Sequence, residues 1–177
     1  DNLDTKTAIG TTTPLSNNPP VANAGQDYTI PVETPFILTG ASTDEDSNDI
    51  HTYTWEQIDN GVTHSDNFGP TKRHGGIFRS RPQSSSPERS FPSMSRVLTR
   101  NLTQSTPVET IDNTSWETLT TVCRELNFAL TVRDRSEANG LGQNGQTSFD
   151  FMKVTVDDTH GAFYVTSQKS NETWYDN

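Results

Sequence analysis

Several stretches of this chain alternate apolar and polar residues with a period of two, the pattern of a strand that buries one face. The clearest runs from Leu126 to Arg133. Leu126, Phe128, Leu130 and Val132 alternate there with Asn127, Ala129, Thr131 and Arg133, and Asp134 ends the run. A Gly/Asn-rich turn, EANGLGQNGQ, leads into Ser148 to Val156, where Met152, Val154 and Val156 share a face. The two runs predict an antiparallel hairpin with a long loop. Upstream, Ile50 to Ile58 sets Tyr53 and Trp55 against Thr52, Thr54 and Glu56. A shorter strand is predicted around Tyr28 and Ile30 within Val21 to Ile30, and another from Phe36 to Gly40. Pro31 and Pro35 stand between them, as edge strands allow. Gly161 to Ser167 predicts a last short strand.

Residues 59–118 carry little strand signal. They hold Gly75-Gly76, four prolines from Pro70 to Pro92 and the run Ser84-Ser85-Ser86. Ser93 to Leu102 predicts one or two helical turns with Ser93 as N-cap. A structureless loop of this length is unusual inside a domain, so the stretch is expected either to be functional or to fold onto the strands. Strands separated by turn signals imply an all-β fold, an antiparallel β-sandwich with a long loop-rich insertion. The expected organisation is a linker or lead-in strand over 1–20, the sandwich over 21–158 with its insertion at about 59–118, and the start of a following module or a tail over 159–177.

Composition narrows this further. Apolar residues make up 29% of the chain and the mean hydropathy is -0.76, so the core must be thin. The net charge of -10 argues against nucleic-acid binding, which needs a basic stripe. It suits a divalent cation or a salty exterior, and equally plain solubility. The single cysteine, Cys123, can form no internal disulfide and is expected to be a buried free thiol, since an apolar run follows it. No apolar run is long enough for membrane insertion. The first residue is Asp, and the chain is expected to be a piece of a longer polypeptide.

No catalytic motif stands out, and no enzyme activity is expected of this chain. His51, His64, His74 and His160 are scattered, with no H-E-x-x-H, no zinc-ligand cysteine pair, no P-loop and no G-x-S-x-G elbow. One constellation does offer chemistry. Calcium takes six to eight oxygen ligands, and the loop Thr43 to Asp49 presents Asp44 and Asp46 one residue apart. Asp134, closing the strongest strand, can reach the same end of a sandwich, as can Asn17 or Asn18 just before Pro19-Pro20. The alternative is that these are solvated loop acids.

A second feature is a charge asymmetry. Between Thr71 and Arg100, Lys72, Arg73, Arg79, Arg81, Arg89, Arg96 and Arg100 stand against Glu88 alone, a net charge of +6 that leaves -16 on the rest. Guanidinium forks suit carboxylates, sulfates and phosphates. Lys72, Arg73, Arg79, Arg81 and Arg89 are therefore candidates for binding an anionic glycan, a protein or a neighbouring domain of the same polypeptide. Alternatively the segment lies across its own acidic sandwich, with Phe78 and Phe91 filling a satellite core.

The stretch NNPPVANAGQDYTIPVETPFILTGASTDED, followed by YTWEQID, resembles the start of PKD domains, which belong to the immunoglobulin-like sandwiches. It has their proline-led first strand, Asp-x-Asp loop and Tyr-x-Trp strand. LNFALTVRD resembles their late strand. With GPTKRHGGIFRSRPQSSSPERSFPSMSRVL and GAFYVTS, the similarity spans residues 17 to 167. It is closest to the accessory region downstream of the catalytic domain in secreted reprolysin-like zinc metallopeptidases of Bacteroidetes-type bacteria. In calcium-binding PKD domains the ligands come from the lead-in Asn, the Asp-x-Asp loop and the late-strand Asp. The matching positions here are Asn17 or Asn18, Asp44, Asp46 and Asp134. The 59–118 stretch stands where those domains have a Gly-Asp-Gly turn.

The resemblance implies an extracellular or cell-surface location, export by the type IX route and structural calcium. It also implies a role as spacer or binding module beside a metallopeptidase domain. A structural or adhesive stalk of a surface adhesin is the other role it allows. An H-E-x-x-H-x-x-G-x-x-H stretch upstream in the parent gene would separate the two.

Overall fold

The alternating runs at 126–133 and 148–156 form the longest hairpin of the molecule. The computed structural model describes residues 17–134 and 145–163. They hold β1 (Val21–Asn23), β2 (Tyr28–Pro31), β3 (Phe36–Thr39), β4 (Ala41–Thr43), β5 (Thr52–Gln57), β6 (Glu88–Phe91), α1 (Met94–Leu98), β7 (Arg124–Arg133) and β8 (Thr147–Asp157). β7 and β8 pair antiparallel from Arg124↔Val156 to Arg133↔Thr147. β5 joins the other side of β7, with Trp55 opposite Leu130. β2 completes the sheet, in the order β2-β8-β7-β5.

The β2–β8 pairing is parallel, with Tyr28 opposite Val154, and this corrects the purely antiparallel expectation. Parallel neighbours need a long crossover, and nearly the whole described chain lies between these two strands. β1 pairs with β4 and β3 pairs with β6, both antiparallel. β3 and β4 flank Gly40, where a Cβ would lie 2.3 Å from Leu130 Cδ2 and 3.3 Å from Trp55 Cζ2. The two layers approach each other so closely there that no side chain fits. This layered all-β arrangement is compatible with a β-sandwich.

One hydrophobic cluster fills the space between the layers. The strands bring Phe36, Leu38, Trp55, Leu126, Phe128, Leu130, Val132, Met152, Val154 and Val156, as the alternation predicts. The 59–118 stretch folds back and adds Phe68, Ile77, Phe78, Phe91 and Trp116 to the same cluster. Phe91 stacks on Phe36 with centroids 5.1 Å apart and lies 4.8 Å from Phe128. The thin core read from composition is thus thickened by the insertion.

Smaller expectations meet the structure as follows. α1 begins at Met94 with Ser93 at its N-cap, although the Ser93 side chain makes no capping bond. Residues 161–163 form no strand, and 164–167, like the turn residues 135–144, lie outside the described residues. Cys123 is exposed, which corrects the buried thiol. The parity of β7 explains it: even positions from Arg124 to Val132 face inward, so Cys123 and Glu125 face out.

Candidate cation site and arginine-lined cover

Three acids of the β4–β5 loop converge. Asp44, Asp46 and Asp49 each bring a carboxylate oxygen within 4.8 Å of the others. The loop closes on itself because the Asp46 N–H donates to Asp44 Oδ1 (2.8 Å) and the Asp49 N–H donates to the Asp46 carbonyl (3.0 Å). The lead-in reaches the same end of the fold. The Asn18 N–H donates to Asp46 Oδ2 at 2.7 Å, and Asn17 Nδ2 donates to Asp134 Oδ2 at 2.5 Å. Asp134 is fully buried and also accepts from the Gln146 N–H at 2.7 Å, while the Gln146 side chain donates to the Asn17 carbonyl.

The structure therefore places Asn17 with Asp134 and Asn18 with Asp46, joining the two groups through adjacent residues of the lead-in. Asp134 is not one of the three acids within 4.8 Å. Asp49 takes that place, and it was missed as a candidate although it stands in the same acidic loop. The turn that brings it back, three residues after Asp46, was its only signal.

His51, which no sequence motif marks, borders the same loop. Its Nδ1 lies 2.6 Å from Ser42 Oγ, which is 2.8 Å from Tyr53 Oη. Its Nε2 faces Asp44 Oδ2 at 3.4 Å. That carboxylate oxygen is shielded from solvent and accepts no hydrogen bond. Serine, histidine and aspartate in a row are also the components of a nucleophilic triad. Here Ser42 is shared with Tyr53, and the open cavities of about 380 and 580 Å³ are lined by neither Ser42 nor His51. The row fixes one side of Asp44.

The donor set is one a hard cation would accept. It is made of carboxylate oxygens, and neither Asp44 nor Asp46 is ion-paired with Lys or Arg among the described residues. Calcium is bound by such oxygens in flexible loops.

The arginine-rich segment divides. Arg89 is buried, with Nη1 donating to the Trp55 carbonyl (2.6 Å) and Nη2 to the Arg79 carbonyl (2.7 Å) and to Glu117 Oε1 (3.1 Å). Burial lowers its affinity for the proton, and Glu117 opposes that. It is thus a corrected candidate: most of its donors are committed within the chain. Arg79 lies over the Trp116 ring at 3.6 Å and pairs with Glu109 at 2.8 Å. Lys72 donates to the Val62 carbonyl, and Arg73 is exposed beside Cys123 Sγ at 3.9 Å. Arg81 is half-buried and makes no hydrogen bond or ion pair among the described residues.

The buried arginines share one task. Arg96 donates to the carbonyls of Asn101, Thr103 and Thr114, and Arg124 to those of Lys72 and Gly75 as well as to Asp59. Irregular backbone buried beside a core needs such donors for its carbonyls. No family model, curated protein or solved structure matches this chain.

Proposed function

We propose that this chain is a non-catalytic, immunoglobulin/PKD-like accessory module of a secreted or cell-surface multidomain protein. In this reading calcium at its acidic end ties the lead-in to the strands, and the module is a spacer or binding domain beside a metallopeptidase domain. The observation that carries the reading is the convergence of Asn17–Asn18, Asp44–Asp46–Asp49 and Asp134, three regions far apart in sequence. Asp44, Asp46 and Asp49 would hold the ion, while Asn17 and Asp134 anchor the lead-in behind them. Bound calcium would neutralise the mutual repulsion of the three carboxylates and stiffen the segment that leads into β1.

Thermal melts with chelator and with millimolar calcium test this. A ligand that binds only the folded state stabilises it by about 2.7 kcal/mol at a hundredfold excess over Kd. The melting temperature is expected to rise with calcium in the parent and to stay put in Asp44→Asn and Asp46→Asn. Coincident curves for the parent, or an undiminished calcium shift in both variants, would sink the calcium reading.

A further inference from the structure

A cavity lies along the outer edge of β5, where Tyr53 pairs with Ser84. It holds about 380 Å³, is open on one side and is lined by Arg81, Arg89, Ser84, Ser86 and Ser90 among others. Arg81 and Arg89 both line it, and the charge on Arg89, disfavoured chiefly by burial and favoured by Glu117, is also disfavoured by Arg81. Arg89 is pinned by Trp55, Arg79 and Glu117, and its Nε–H, shielded from solvent, has no acceptor. Its charge is met by Glu117, so it offers the cavity little field and little contact. Arg81 is different, because all five of its N–H donors remain uncommitted among the described residues.

Two acids, Glu88 and Asp112, also line the cavity, and neither pairs with Arg81. They decide which anion fits. A phosphate group carries nearly two negative charges at neutral pH and meets repulsion from both acids. A single carboxylate carries one charge and suits a two-pronged guanidinium contact. A sugar that bears it has hydroxyl donors for Glu88 and Asp112 and hydroxyl acceptors for Ser84, Ser86 and Ser90. We propose that this cavity is a subsite for a uronic-acid residue of an acidic polysaccharide, with Arg81 as the carboxylate-binding group. The proposal is independent of the calcium site, which lies in the β4–β5 loop.

Calorimetric titration of the parent chain with a galacturonic-acid trisaccharide is the test. Neutral galactose oligomers, a phosphoserine peptide and inorganic sulfate serve as the other arms. Saturable uronate binding is expected, with the neutral sugar inert and the phosphopeptide and sulfate weaker. Arg81→Ala and Arg81→Gln should each lose at least tenfold in affinity with an unchanged melting temperature. Glu88→Gln should narrow the preference for uronate over sulfate. A parent chain that binds no uronate, binds phosphopeptide or sulfate more tightly, or binds uronate equally well after both Arg81 substitutions overturns the assignment. The parent titration decides even if a variant fails to fold.

Discussion

Between β7 and β8 the core is closed by side chains without polar atoms, Leu126, Phe128, Met152 and Val154 among them. Between β6 and the 114–120 stretch, equally buried, it is closed by Arg89, Glu117 and Thr118 beside Phe91 and Trp116. The first region has regular strands, whose backbone groups satisfy one another. The second has almost none, so its carbonyls must be met by guanidinium donors, and the charge that comes with them must be met by Glu117 and Asp59. A loop-rich cover can be as buried as a sheet, but it needs polar side chains in places where a sheet needs apolar ones.

The largest expected effects probe that contrast directly. Phe128→Ala, in the sheet, and Arg89→Met, in the cover, should each cost about 3–5 kcal/mol in urea unfolding, the first through a cavity and the second by stranding Glu117. A negligible loss for Arg89→Met would erase the distinction. The double variant Arg89→Met/Glu117→Leu sharpens it, because removing both charges should recover most of the loss. Non-recovery would mean that the carbonyl contacts of Arg89, rather than its charge pairing, dominate.

Smaller effects belong to the surface. Arg79→Ala removes a stacked and partly exposed guanidinium and should cost about 1 kcal/mol or less. A loss as large as that of Arg89→Met would show that Arg79 belongs to the buried network. Smallest is Asp157, at the end of β8, whose pKa is held down at about 2, chiefly by the Thr159 hydroxyl and N–H and then by His160. A depressed pKa stabilises the fold above the ordinary carboxylate range, and that contribution disappears as pH falls through about 2. Carboxyl titration followed by NMR should show a midpoint near 2, absent in Asp157→Asn. A midpoint near the unperturbed carboxylate value of 3.8 would remove this contribution.

What could be read from the sequence follows the same division. β5, β7 and β8 announce themselves because their inward positions are apolar and their outward ones polar. β6 reads Glu-Arg-Ser-Phe, and its inward positions are Arg89 and Phe91, so a charged residue hides the alternation. Trp116 to Thr120 looks polar, yet Glu117 and Thr118 are fully buried. Pattern reading fails where a buried polar group has its partner some thirty residues away, since nothing local marks the pairing. The acidic loop was legible as a cluster. That Asp49 stands inside it and Asp134 beside it depended on a turn and a lead-in that composition does not encode.

The parallel pairing of β2 with β8 has a mechanical consequence. In a parallel pair the chain enters one strand and leaves the other at opposite ends. Tension drawn through β2 from its amino-terminal side and through β8 from its carboxyl-terminal side therefore slides the strands along each other. The registered pairs from Tyr28–Val154 to Pro31–Asp157, with the Val32 N–H on the Asp157 carbonyl, take that load together and do not peel apart in sequence. β2 and β8 thus form a clamp loaded in shear, its strands along the line of such a pull and its hydrogen bonds across it.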